Sequence, residues 1–241
     1  MKRIFFIIIA LIIIKFLNAQ TQLNTSDGTP IYYNQSAIIT SLPKQKTPPV
    51  GSVYFNDQWK NATMLLNDST KLTKIKVKYN MLTKKFEIKQ QNDPNIYTIY
   101  FSRVKKVIFK DNNNNITMIN SLPYIIEYPD LIQGYDFLIV HTKGKITLLE
   151  GIKLDKLYAN YNTALDVGST SDKYVKKTAF FIEKQNKLYQ FYPTKSYVLK
   201  FTKDKKDLIK KFVKQHKLSY RKINDITQIF NYYNSLTDEK N

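Results

Sequence analysis

His141 and His216 are the only imidazoles in the sequence, and cysteine is absent. Base or nucleophile chemistry at a histidine needs a partner that fixes its tautomer or gives up a proton: a carboxylate, a hydroxyl or a thiol. His141 closes an apolar run beside the turn "TKG", and His216 sits in the lysine-rich stretch "KKFVKQHKL"; nothing in the pattern places such a partner against either ring. The expected roles are an exposed turn residue and a cation near a helix C-terminus, where the macrodipole favours it. Among carboxylates, Glu127 and Asp130 border a proline-bearing crossing, and Glu150 and Asp155 flank a strand junction. A paired-acid site requires two such groups to converge in space, and nothing in their spacing brings them together. "DNNNNITMINSL" opens like a calcium loop, with Asp111, Asn113 and Asn115 at alternate positions, but Ile116 stands where the turn glycine belongs and Leu122 where the bidentate glutamate belongs. It reads as an Asn-rich hairpin tip. Esterase-elbow, metalloprotease, phosphate-loop and zinc spacings are absent. The sequence names no catalytic residue, no metal ligand and no cofactor.

Charge offers a different chemistry. The chain has 241 residues and a net charge of +19, carried by 35 Lys and three Arg. Phosphate and base recognition favours the planar, bidentate guanidinium over the ammonium, so no nucleic-acid partner is expected. In "KIKVKYN", Lys74, Lys76 and Lys78 alternate with Ile75, Val77 and Tyr79, giving a strand with one apolar and one cationic face. The following segment "KKFEIKQ" places Glu87 between Lys85 and Lys89, which suggests a mixed outer face that keeps the sheet soluble. Lys203, Lys205, Lys206, Lys210, Lys211 and Lys214 form the solvated side of a docked helix rather than a membrane-surface helix. The 18 Tyr, 14 Phe and the single Trp59 read mainly as strand formers.

The N-terminus supplies an address. Lys2 and Arg3 precede an unbroken apolar run, Ile4 to Ile14, and "LNAQ" offers cleavage after Ala19, so the mature chain begins at Gln20. This is a secretory signal peptide; the run is shorter than the about 20 residues of a membrane span. Removing Lys2, Arg3 and Lys15 with the signal leaves a charge of +16. Without cysteine there is no disulfide framework and no lipid attachment through an N-terminal thiol. The mature protein must be held by its core.

The elements that would position any site follow from periodicity. Residues 20–50 form a lead-in ending in the stiff "PKQKTPP". From Gly51, "SVYFND", "ATMLLN", "LTKIKVKYN", "KKFEIKQ", "NIYTIYF", "VKKVIFK" and "ITMIN" are strands; "SLPYIIEYPDLIQGY" is an irregular crossing; "YDFLIVH", "KITLLE", "IKLDKLY", "YVKKTAFFIEK", "KLYQFY" and "KSYVLKF" are strands again. After Phe201 the period changes. Leu208, Ile209, Phe212 and Val213 share one helix face, with Thr202 or Asp204 as N-cap, and Ile223, Ile226, Phe230 and Tyr233 share another. The expected fold is mainly β: an antiparallel meander over 51–201 forming a sandwich or partly open barrel, with a C-terminal pair of short α-helices over 202–236 and a disordered tail at 237–241.

"GSVYFND", the "KVKYN" and "KKFEIK" hairpin, "ITLLEG", "FTKDKKDLIKKFVKQHKL" and "IFNYYNSL" together resemble a family of secreted, uncharacterised mainly-β proteins of Bacteroidota, over Gly51 to Leu236. Val53 and Phe55 stand where that family's opening motif would have Pro and Leu. The resemblance implies a periplasmic, outer-surface or extracellular address in a Gram-negative cell and brings no activity or site residue. The expected function is non-enzymatic binding in the envelope, to a protein, lipid or polysaccharide. The alternatives are an apolar-ligand carrier built on an open β half-barrel and a hydrolase of envelope or extracellular polymer. Oligomeric state is not encoded in any motif.

Overall fold

The computed structural model describes residues 48–110, 115–162, 165 and 167–236. The signal region with Ala19 and Gln20, the lead-in up to 47, the Asn-rich tip 111–114 and the tail 237–241 lie outside these residues. Ten strands form one antiparallel sheet: β1 (Lys60–Leu66), β2 (Lys71–Asn80), β3 (Lys85–Gln90), β4 (Ile96–Tyr100), β5 (Val104–Phe109), β6 (Ile116–Asn120), β7 (Phe137–Thr142), β8 (Thr147–Leu157), β9 (Lys173–Lys184) and β10 (Lys187–Phe191). Their spatial order is β10-β9-β8-β7-β6-β5-β1-β2-β3-β4, two meanders joined where β5 pairs with β1.

Chain length dictates that this sheet curls. β4 and β5 are four strand intervals apart, about 19 Å in a flat sheet. Only the three-residue turn Phe101–Arg103 joins them, a reach of about 14 Å at most. The inner face shows the result. Tyr79 of β2 and Phe137 of β7 are also four strands apart, yet their ring centroids lie 5.4 Å from each other, with Phe86 of β3 5.2 Å from Phe137. Ala62, Met64, Ile75, Val77, Val107, Phe109 and Met118 fill the same curl. No ladder closes it; β4 and β10 remain edges.

A strap ties the curl across its opening. Val50 donates its N–H to the Asp172 carbonyl and accepts from Tyr174 N–H, while Phe55 N–H donates to Tyr79 O and Met81 N–H to Val53 O. Residues 50–55 thereby link the start of β9 to the end of β2. Gly51 takes φ +99°, and a Cβ there would collide with the Tyr174 carbonyl oxygen, so this strap needs a glycine.

The opposite end of the sheet is buried on both faces. Leu148 and Ile182 pair across β8 and β9 beneath α3 (Lys195–Phe201), α4 (Lys206–Gln215) and α5 (Ile223–Ser235), which contribute Val198, Phe201, Ile209, Ile226, Ile229 and Phe230. Their neighbours Leu149 and Phe181 pair on the other face, under Ile132, Tyr135 and Leu138. There the Tyr135 ring lies over Gly151, where a Cβ would stand 2.6 Å from the ring.

Several expectations are corrected. "SVYFND" is not a strand but the strap, with isolated bridges at Val50 and Tyr54. "SLPYIIEYPDLIQGY" holds two short helices, α1 (Leu122–Glu127) and α2 (Pro129–Ile132), each with proline in its first turn, where the missing N–H costs nothing. "KITLLE" and "IKLDKLY" are one strand, β8. "KSYVLKF" is helical: Thr194 Oγ1 accepts from Tyr197 N–H, and Val198 and Phe201, one turn apart, are buried. The helical region thus starts at 195 rather than 202. Thr202 donates its hydroxyl to Val198 O, and Asp204 accepts from the Tyr233 hydroxyl, so neither caps α4. Leu208 is 43% exposed, outside the apolar face assigned to it. Ile226, Phe230 and Tyr233 are buried as expected.

Candidate functional site

A bulge opens the outer face of the first hairpin. Between the pairs Ala62↔Ile75 and Met64↔Leu72, β2 carries one residue more than β1, and Lys74 takes φ 53°. A non-glycine residue in the left-handed region costs about 1 kcal/mol or more and persists where its surroundings hold it. Beyond the bulge, alternation is regular: Ile75, Val77 and Tyr79 are buried and Lys76 is exposed. The register then sets Lys76 directly opposite Lys89, and Lys78 opposite Glu87. The mixed face read from the sequence holds only for the second pair. At the first, like charges face each other across the ladder, an arrangement that destabilises a sheet.

Around this pair lies an open trough of about 470 Å³ lined by Asn61, Lys74, Lys76, Lys89, Gln90, Gln91 and Asp93. Among the described residues no carboxylate forms an ion pair with Lys74, Lys76 or Lys89. Aromatic rings seat Lys89 and, on the neighbouring cross-strand pair, Lys78. Lys89 Nζ lies 4.4 Å from the Trp59 ring centroid, and Lys78 Nζ lies 3.7 Å from that of Tyr54. Tyr54 donates its hydroxyl to Glu87 at 2.8 Å, and that bond is the main cause raising its phenol above the usual range. Asp93 accepts from Asn95 N–H at 2.9 Å on one oxygen and from the Tyr97 hydroxyl at 2.7 Å on the other. The Asn95 N–H, then Tyr97, keep its carboxyl below the ordinary value. The trough therefore offers three ammonium groups, three carboxamides and one fixed carboxylate. It can take negative charge and can hydrogen bond neutral hydroxyls.

The other polar groups fall elsewhere. His141, read as lacking a carboxylate partner, has one: its Nε2 lies 2.6 Å from Glu150 Oε2, and both side chains are mostly buried. His141 is the extra residue of a bulge in β7, between Val140↔Leu149 and Thr142↔Leu148, and bulges re-aim side chains. The pair makes no further hydrogen bond among the described residues, and its ring neighbour is Phe180 at 6.5 Å. It ties two strands. His216 caps the C-terminus of α4, its ring 4.4 Å from that of Phe212. Asp155 lies within β8 and pairs with Lys177, which with the Lys156 N–H lowers its pKa. Tyr79 donates its hydroxyl to Asp136 at 2.8 Å, and Lys84 reaches the other Asp136 oxygen at 3.1 Å. Burial and then Asp136 push the Tyr79 phenol far up. Lys184 donates to Phe201 O and Tyr233 Oη, joining β9 to the helices. Among the described residues no group of three or more acidic, histidine or cysteine side chains is placed to hold a metal, and no helix is long and apolar enough to cross a membrane.

Sequence reading reached Lys74, Lys76 and Lys78 but assigned them to an ordinary wet face. It placed Lys89 on the same face without its pairing to Lys76, and it missed Asn61, Trp59, Gln90, Gln91 and Asp93 as neighbours. The chain matches no protein-family model, no curated protein and no solved structure.

Proposed function

We propose that the protein is exported to the cell envelope and acts there as a non-catalytic binding protein, contacting an anionic partner through the trough on β1–β3. The observation carrying this is the unneutralised Lys76–Lys89 pair: a like-charge contact in a solvated trough lowers its energy when an anion sits between the two ammonium groups. The signal-like N-terminus and the motif resemblance to secreted Bacteroidota proteins support the address. A carrier of apolar ligands would need an opening lined by Phe and Tyr, whereas the Tyr79, Phe86 and Phe137 rings pack on one another at 4.5–5.4 Å. A paired-acid hydrolase would need two converging carboxyl groups, whereas among the described residues Asp93 is the one acid lining the trough.

The test matches net charge between two variants, each three positive charges below the parent. Lys74, Lys76 and Lys89 are replaced together by glutamine in one variant; Lys206, Lys211 and Lys214 of α4, all exposed, are replaced in the other. On immobilised heparin the trough variant should lose affinity about tenfold, equivalent to about 1.4 kcal/mol, while the helix variant stays near the parent. Equal losses would mean that retention follows overall charge and that the trough is not the contact surface.

A further inference from the structure

The geometry points to an acidic polysaccharide as the class of ligand that occupies the trough, an assignment that rests on the reading of this trough as the contact surface. A dense polyanion needs only positive charge. Asp93 would repel it, and Asn61, Gln90 and Gln91 would add little. A chain of sugar acids uses every group present. Its carboxylates meet Lys74, Lys76 and Lys89 as point charges. Its hydroxyls match the carboxamides, which both donate and accept, and Asp93, which accepts.

The state of Asp93 fits that role. An ionised carboxylate has about four acceptor sites. Asn95 N–H and the Tyr97 hydroxyl use one on each oxygen, which fixes the group and leaves acceptor capacity for ligand hydroxyls. No arginine lines the trough, so the planar fork that reads phosphate bidentately is missing. Nor does any apolar side chain line it to take an acyl chain. Its volume, about 470 Å³, falls within the about 300–1,000 Å³ of small-ligand sites, room for a short segment of a chain that continues past the open ends.

The site is also built in advance of binding. Lys74 is held in a strained backbone state, Lys89 is seated over Trp59, and Lys76 is set against Lys89 by register. The backbone of Lys74 and the Lys76–Lys89 pairing each cost stability without a ligand, the Trp59 ring fixes Lys89, and together they place three ammonium groups along one trough. Local rules broken together at one place are the mark of a functional surface.

Calorimetric titration of the full mature chain with oligogalacturonate and, separately, with inorganic polyphosphate tests the assignment. Two variants are compared with the parent: the Lys74→Gln, Lys76→Gln, Lys89→Gln triple and an Asn61→Ala, Gln91→Ala double. All of these residues are exposed except the half-buried Lys89, and the melting temperatures of both variants report whether folding is kept. Oligogalacturonate should bind the parent, weaken at least tenfold in the amide double and be lost in the lysine triple. Polyphosphate binding should be indifferent to the amide double. If both anions depend on the lysines alone, the polysaccharide assignment falls while the anionic contact surface stands. If oligogalacturonate does not bind, the assignment falls as well. If neither anion depends on the trough lysines, the assignment and the contact surface fall together.

Discussion

Val77→Glu should destabilise the protein by about 4 kcal/mol, a drop in Tm of about 8–16 °C for a chain of this size, while Lys76→Glu should leave Tm unchanged or raise it slightly. Val77 is fully buried in the curl, opposite Ile88 and beside Ile75 and Tyr79. A carboxyl there loses water and finds no partner. One residue earlier the side chain leaves the opposite face, and the new glutamate would stand across from Lys89. That exchanges a repulsive cross-strand pair for an attractive one worth about 0.2–1 kcal/mol. Thermal melts of the two variants read the difference. Equal destabilisation would mean that both faces of β2 are buried.

Phe137→Ala should cost about 3–5 kcal/mol, whereas Phe137→Leu, which keeps most of the volume, should cost less than about 1.5 kcal/mol. Phe137 is 4% exposed, and its ring meets Tyr79 of β2, Phe86 of β3 and Phe101 of the β4–β5 turn edge-on at 5.4, 5.2 and 6.2 Å. One side chain of β7 thus holds together three segments that a flat sheet would keep far from it. Truncation leaves a cavity where the curl closes, and the rigid strands around it collapse only in part. Urea unfolding of the three proteins measures the effect. A cost below about 1 kcal/mol for the alanine variant would show that the curl is held elsewhere, by the strap or by the short β4–β5 connection.

The alternation of β2 and β3 was legible because side-chain period alone decides which face is apolar, and Val77 and Lys76 fall where parity puts them. The amphipathic stripe of α5 was legible for the same reason, its period being kept over 13 residues. "KSYVLKF" was not: its Tyr, Val and Phe favour strands, and over seven residues tertiary packing of Val198 and Phe201 outweighs propensity. The site was hidden at the level of register. That Lys76 meets Lys89 depends on how the Met81–Lys84 turn sets the hairpin, and the shape of the trough depends on one inserted residue at Lys74. His141 and Glu150 lie nine residues apart on strands that sequence could place side by side. Only the bulge at His141 turns its ring toward the carboxylate.

The proposed function is binding at the β1–β3 trough. Backbone amide shifts of the isotope-labelled mature chain, followed by NMR during titration with oligogalacturonate, test it most directly. Binding there should give saturable shifts confined to Asn61, Lys74, Lys76 and the run from Lys89 to Asp93, with the Trp59 indole moving alongside. Shifts centred on the lysines of α4, or spread evenly over every basic surface, would contradict it.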